Sequence, residues 1–151
     1  MGRILSIDYG RKRIGLAVTD PMQMIANGLD TVSPQDIFLF LEKYLANNAV
    51  EKFVIGLPKQ MNGAESETMG DIRAFATALG RKFPDVPIEF FDERFTSVLA
   101  HQAMIESGIS KKARQNKALV DKISATIILQ GFLEQLRIKL QGTSYELREN
   151  A

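Results

Sequence analysis

The stretch from Arg3 to Val18 reads RILSIDYGRKRIGLAV and places one carboxylate at the end of the first of two apolar runs. The run from Ile4 to Ile7 and the run from Ile14 to Val18 each predict a buried strand. Few polar residues separate them, so a hairpin is the simplest connection. Asp8 stands where the first strand ends. An Asp beside a turn is, by itself, typical of turn chemistry, because its side chain accepts hydrogen bonds from nearby backbone N–H groups.

The composition is that of an ordinary globular domain. The chain has 151 residues, of which 45% are hydrophobic and 25% charged, and its net charge is +1. One domain with a sizeable core is expected, without a bulk basic signal for nucleic acid. The absence of Cys excludes a thiolate nucleophile and Cys-ligated zinc, and it fits a reducing compartment. With no signal-peptide pattern and no apolar run near the ~20 residues that span a bilayer, we expect a cytoplasmic protein with no membrane partner.

Beyond the hairpin, strand-like runs alternate with helical periodicities. The pattern predicts three further strands, at 29–32, 52–58 and 87–94. It predicts helices from a Ser33-Pro34 cap to Asn47, from about 65 to 83, at 97–107 and from 117 to about 140. An irregular loop is predicted at 109–116. This order predicts an α/β fold with a mixed five-stranded sheet, in which an antiparallel meander precedes helix-linked parallel strands and helices cover both faces. We expect a single domain at 1–141 and a polar C-terminal tail at 142–151.

Carboxylates recur at the ends of these predicted elements. Asp8 ends the first strand, Asp92 and Glu93 end the last strand, and Asp121 leads the apolar stripe of the last helix. Sites in parallel-type sheets gather at the carboxyl ends of the strands, so these acids are expected to converge. Neighbouring strand residues point to opposite faces, so only one of Asp92 and Glu93 should face the site, and spacing does not decide which.

Converging carboxylates would repel one another and raise their proton affinity. Mg²⁺ or Mn²⁺ resolves that conflict, and hard oxygen ligands without Cys or a His cluster suit these ions better than Zn²⁺. One ion, or two about 4 Å apart, would support phosphodiester hydrolysis. Each acid also has a purely structural alternative: Asp8 shapes the turn, Asp92 or Glu93 pairs with Arg94, and Asp121 favours a helix N-terminus.

Basic side chains flank the acids in two groups that are predicted to line a path for phosphates. The groups are Arg3, Arg11, Lys12 and Arg13 around Asp8, and Lys111, Lys112, Arg114, Lys117 and Lys122 around Asp121. Solvated charged loops are the alternative. The loop from Lys111 to Lys117 immediately precedes Asp121 and is predicted to close over nucleic acid. The predicted contacts are Arg11, Lys12, Arg94, Lys111, Lys112, Arg114 and Lys117.

Five motifs in order extend this interpretation. They are Asp8-Tyr9-Gly10, Ile14-Gly15-Leu16-Ala17, Gly56-Leu57-Pro58, Asp92-Glu93-Arg94-Phe95-Thr96 and Asp121-Lys122-Ile123-Ser124-Ala125. Together they resemble the YqgF (RuvX-like) family over roughly residues 3–138. The resemblance implies an RNase H-like fold and a metal-dependent nuclease with Asp8, Glu93 and Asp121 as catalytic acids and metal ligands. Members are described as nucleases that mature the 5′ end of pre-16S rRNA in ribosome biogenesis, the function favoured here, and as Holliday junction resolvases.

Two other functions also fit parts of this pattern. An actin-like or sugar-kinase-like ATPase also opens with a strand, an Asp and a Gly-containing turn, but it needs two such domains, for which 151 residues are too few. A nucleic-acid-binding module without catalysis would fit if the acids failed to converge. Structured RNA and branched DNA both stay open as the substrate, as do the cleavage preference and the oligomeric state. Cleavage of both strands of a junction would favour a two-fold homodimer.

Overall fold

A computed structural model describes residues 2–58, 65–93 and 116–149. The elements in chain order are β1 (Arg3–Asp8), β2 (Ile14–Thr19), β3 (Ala26–Val32), α1 (Ile37–Asn47), β4 (Val50–Leu57), α2 (Glu65–Lys82), β5 (Ile88–Asp92) and α3 (Lys117–Glu149). The predicted helix at 97–107 and most of the predicted basic loop lie outside the described residues. None of the described helices is both long enough and apolar enough to cross a membrane.

The strands form one mixed five-stranded sheet, which confirms the predicted fold class. Their order is β3-β2-β1-β4-β5. β1 and β3 each pair antiparallel with β2, whereas β4 pairs parallel with both β1 and β5. The antiparallel strands β1 to β3 thus lie on one side of the sheet and the helix-linked strands β4 and β5 on the other, with β1 as the central strand. Because β1, β4 and β5 run in the same direction, their carboxyl ends share one edge of the sheet.

Successive side chains along each strand point to opposite faces of the sheet, and each face has its own hydrophobic core. On one face, Leu5 and Ile7 of β1 pack with apolar residues of α1 and α2. On the other face, Ile4 packs with Val54, Phe91 and apolar residues of α3. The expectation that helices cover both faces is therefore confirmed. Even-numbered residues of β1, from Ile4 and Ser6 to Asp8, point toward the face that carries α3.

Small residues let α3 lie close to this face. The buried Ser6 hydroxyl donates a hydrogen bond of 2.7 Å to the carbonyl of Ala125. A Cβ on Gly56 would stand 2.5 Å from Cδ1 of Ile128, and one on Gly131 would stand 2.7 Å from Cζ of Phe91. A larger side chain at these positions would require helix, strand or neighbouring side chains to shift. The packing therefore sets the height of α3 above the sheet.

Several element boundaries differ from the predictions, among them β5, which ends at Asp92 and not at residue 94. β3 begins at Ala26 and α3 continues to Glu149, so both are longer than their apolar patterns indicated. The capping prediction was wrong: α1 begins at Ile37, and Asp36 precedes it without a side-chain cap. The Ser33 hydroxyl instead donates to Oδ2 of Asp36 at 2.9 Å, within a turn that connects β3 to the helix. The boundary between the domain and its tail stays a prediction.

Candidate active site

Asp8 lies at the carboxyl end of the central strand, opposite Gly15 in the antiparallel pairing of β1 with β2. It is half-buried and shares the face of Ile4 and Ser6, toward α3. The connecting turn is tight, since a Cβ on Gly10 would stand 2.5 Å from the carbonyl oxygen of Arg13. The hairpin therefore holds Asp8 at the shared edge of the parallel strands.

The geometry distinguishes Glu93 from Asp92. Phe91 packs in the core beneath α3, whereas Ile88, three residues earlier, packs in the opposite core. Alternation from Phe91 directs residue 93 to the α3 face and residue 92 to the other. In agreement, Oε1 of Glu93 lies 3.6 Å from a Cβ placed on Gly56. The Glu93 carboxylate therefore lies on the same face of the sheet as Asp8.

Asp121 reaches the same region from α3. A Cβ on Gly15 would stand only 2.0 Å from the backbone carbonyl oxygen of Asp121. This part of the helix therefore rests on the β2 residue that pairs with Asp8. The Asp121 side chain accepts a hydrogen bond from Arg13, with 2.7 Å between Nε and Oδ2.

The three acids influence one another electrostatically. Loss of solvent around the Asp8 carboxyl raises its pKa from 3.8 to about 7, and repulsion from Glu93 and then from Asp121 contributes to the shift. Within residues 2–58, 65–93 and 116–149, no three carboxylate or imidazole groups are arranged to hold a metal ion as they stand. The site thus concentrates negative charge, part of which Arg13 compensates.

The predicted phosphate contacts are placed only in part. Arg11 forms an ion pair with Asp71 of α2, with 2.5 Å between Nε and Oδ2. Lys12 and Lys117 are exposed, and Lys117 begins α3 one turn before Asp121. The other four, Arg94, Lys111, Lys112 and Arg114, lie outside the described residues.

Two contacts of this region were not predicted from the sequence. Arg13 contacts Asp121 across 108 positions of the chain, and no local signal announces such a pair. Gly15 had a usable signal, because a glycine inside a strand often marks close approach of another backbone. What the sequence could not supply was the identity of the approaching segment.

The sheet order, the two-sided covering and the acids at the edge define the RNase H-like class of nuclease fold. A solved structure with this fold is similar to the chain: T. thermophilus RuvC in complex with a Holliday junction substrate has a TM-score of 0.55 and 17% sequence identity. The match covers 89% of this chain and 96% of that one.

Residues 2–135 match the family RuvX, described as Holliday junction resolvase, and the chain belongs to this family. A relative from Phocaeicola vulgatus is 60% identical over 134 residues, covering 89% of this chain and 96% of its own. One from Bacteroides fragilis is 57% identical over 138 residues, covering 91% and 100%. Both are provisionally named pre-16S rRNA nuclease. The protein is accordingly a nuclease, a hydrolase of phosphodiester bonds.

Proposed function

We propose that Asp8, Glu93 and Asp121 are the catalytic acids of this nuclease and that together they hold Mg²⁺ or Mn²⁺. The observation that carries the proposal is the raised pKa of Asp8, which burial and the charges of the other two acids produce together. Strongly shifted carboxyls beside like charges are typical of functional sites. Alternation directs Asp92, the competing candidate, to the opposite face.

The chemistry of the donor set fits a hard divalent cation. Carboxylate oxygens are the ligands that Mg²⁺ and Mn²⁺ prefer, and a positive ion would offset both the burial and the repulsion that raise the pKa of Asp8. When bound, such an ion supplies an activated water and stabilises the leaving oxygen of the phosphodiester. The number of ions stays open. Asp121 can contribute to this set once its carboxylate is shared with, or released by, Arg13.

The protein side chains have separable roles in this proposal. Asp8 projects from the end of β1, Glu93 follows the end of β5 on the far side of β4, and α3 adds Asp121 from above. Arg11, Lys12 and Lys117 bind the phosphates that flank the scissile bond, together with Arg94, Lys111, Lys112 and Arg114. These contacts orient the nucleic acid without reading its sequence, because phosphate contacts carry no base information.

The substrate proposed here is the 5′ precursor of 16S rRNA, which would place the protein in ribosome biogenesis in the cytoplasm. Support comes from the names of relatives that align over 96% and 100% of their own lengths. Resolution of Holliday junctions is the second candidate, and the family description favours it. That activity would call for a homodimer, since two strands must be cut symmetrically.

A cleavage assay with two substrates tests this proposal. A 5′-labelled precursor of 16S rRNA and a labelled four-way DNA junction are each incubated with the purified protein in Mg²⁺, Mn²⁺ or EDTA. We expect metal-dependent cleavage of both substrates, with the RNA cleaved faster than the junction. Asp8→Asn should lose both activities. A preference for the junction would support the second candidate. Undiminished cleavage by Asp8→Asn would overturn the assignment of the site.

A further inference from the structure

The ion pair between Arg13 and Asp121 joins the hairpin directly to the candidate site. We propose that Arg13 transfers its guanidinium from Asp121 to a substrate phosphate when nucleic acid binds, and that this exchange releases the Asp121 carboxylate to the metal. Arg13 is then a positioning residue, which couples substrate binding to completion of the site. The inference rests on the proposed role of Asp121.

The first argument is competition for the same carboxylate. Nε of Arg13 lies 2.7 Å from Oδ2 of Asp121, so the pair is a charge-assisted hydrogen bond. A guanidinium and a divalent cation both stabilise the ionised carboxylate, and each reduces the attraction that remains for the other.

The second argument is the accessibility of the arginine. The Arg13 side chain is 37% exposed and that of Asp121 is 25% exposed, so the arginine is the more solvent-facing partner. A guanidinium presents five N–H donors in a planar fork that matches phosphate geometry. A phosphate that approaches the acids therefore meets a suitable donor next to the pair.

The third argument is that the Asp121 backbone is held in place. Its carbonyl rests on Gly15, and one turn earlier the Thr31 hydroxyl donates a 2.5 Å hydrogen bond to the carbonyl of Ala118. α3 is thus fixed to β2 and β3 beside the pair. Arg13, by contrast, lies in the turn before β2 and is the more exposed partner, so the exchange is assigned to a change of its side-chain rotamer and not to a movement of the helix.

Two binding measurements without turnover test the exchange. Arg13→Gln removes the guanidinium, and Lys82→Gln removes an equal charge from a cation that pairs with Glu42. Mn²⁺ affinity is measured by calorimetry without nucleic acid, and affinity for the precursor RNA is measured by fluorescence anisotropy in EDTA at several salt concentrations. We expect Arg13→Gln to bind Mn²⁺ roughly tenfold more tightly and RNA roughly tenfold more weakly. For Arg13→Gln, the slope of log RNA affinity against log salt concentration should become shallower by about 0.7 to 0.9. The control Lys82→Gln should change neither Mn²⁺ affinity nor RNA affinity.

Other outcomes contradict the exchange. Weaker Mn²⁺ binding by Arg13→Gln would show that the arginine holds Asp121 in place for the metal. Tighter Mn²⁺ binding with unchanged RNA affinity would make Arg13 a counter-charge only. If circular dichroism shows that Arg13→Gln is unfolded, Arg13→Lys replaces it. Lysine keeps the positive charge but lacks the planar guanidinium donors, so smaller changes in the same directions are expected. Unaltered Mn²⁺ and RNA affinities in Arg13→Lys would overturn the exchange.

The same data separate this inference from the proposed function. If Asp8→Asn abolishes cleavage while Arg13→Gln leaves both affinities unaltered, the exchange is wrong and the site assignment stands. If neither the wild type nor Arg13→Gln binds Mn²⁺, both proposals fail.

Discussion

The backbone carbonyl of Asp121 lies against Gly15, so closely that a Cβ at residue 15 would stand 2.0 Å from the oxygen. Gly15 is also the residue that pairs with Asp8 across the hairpin. Gly15 therefore links the helix that carries Asp121 to the strand pair that carries Asp8. The contact joins packing to chemistry, because any shift of α3 moves Asp121 relative to Asp8.

Substitution of Gly15 should damage stability and activity together. In Gly15→Ala the added methyl meets backbone rather than a flexible side chain, so α3 must move outward. We expect the free energy of unfolding to fall by about 1 to 3 kcal/mol, the usual cost of overpacking. Urea unfolding measures this, and the cleavage assay reports the displaced acid.

Gly70→Ala is the matched control for this substitution. Nothing lies within 4 Å of a Cβ at Gly70, which is in the middle of α2. The control should gain about 0.5 to 1 kcal/mol, because alanine is the better helix former. Equal stability of Gly15→Ala and wild type would contradict the described contact.

The hydrogen bond from Ser6 to Ala125 should contribute measurably to the docking of α3. It is buried and joins β1 to the helix at 2.7 Å. Ser6→Ala should lower the free energy of unfolding by about 1 kcal/mol. Thr77→Ala is the comparison, because its hydroxyl donates to the Arg73 carbonyl at an exposed position of α2. A larger loss for the exposed threonine would argue against this docking contact.

Much of the fold could be predicted from local pattern. The apolar runs of the hairpin and the turn signals between elements suffice for a mixed sheet in which a meander precedes helix-linked parallel strands, because local pairing and right-handed crossovers leave few topologies. The order of the five strands comes from the structure. The choice between Asp92 and Glu93 could not be made from spacing. Alternation relates Glu93 to Phe91, but only packing shows which face of the sheet α3 covers. The pairing of Arg13 with Asp121 likewise depends on how α3 docks, which no local pattern specifies.

The metal-free protein should lose stability as pH rises through the range in which Asp8 ionises. The pKa of Asp8 is about 7 in the folded protein against an ordinary value of 3.8. The folded state holds this proton more tightly than the unfolded state, so the stability it contributes is complete at low pH and is lost as pH rises through the folded pKa.

Comparison with Asp8→Asn isolates this effect from other titrating groups. The free energy of unfolding of Asp8→Asn minus that of wild type should grow from about pH 4 to about pH 7 and then level off. Urea unfolding in EDTA across that range measures the difference. A difference that stays constant with pH would show that Asp8 is not perturbed.

Divalent metal should stabilise the wild-type fold. A ligand that binds only the folded state at 100 times its dissociation constant adds about 2.7 kcal/mol. Thermal unfolding with saturating Mg²⁺ or Mn²⁺ and with EDTA should therefore differ for wild type and much less for Asp8→Asn. The same rise in melting temperature in both proteins would place the metal elsewhere.

The most direct test of the shared role of the acids is cleavage by four single variants. Asp8→Asn, Glu93→Gln and Asp121→Asn should each lower the metal-dependent rate by at least about a hundredfold. Mutation of residues that only orient metal ligands already lowers metal affinity or activity about 10–100-fold. Asp92→Asn, which changes the neighbouring acid on the opposite face, should retain the wild-type rate. Loss of activity in Asp92→Asn with full activity in Glu93→Gln would contradict the proposed site, as would a wild-type rate in Asp8→Asn.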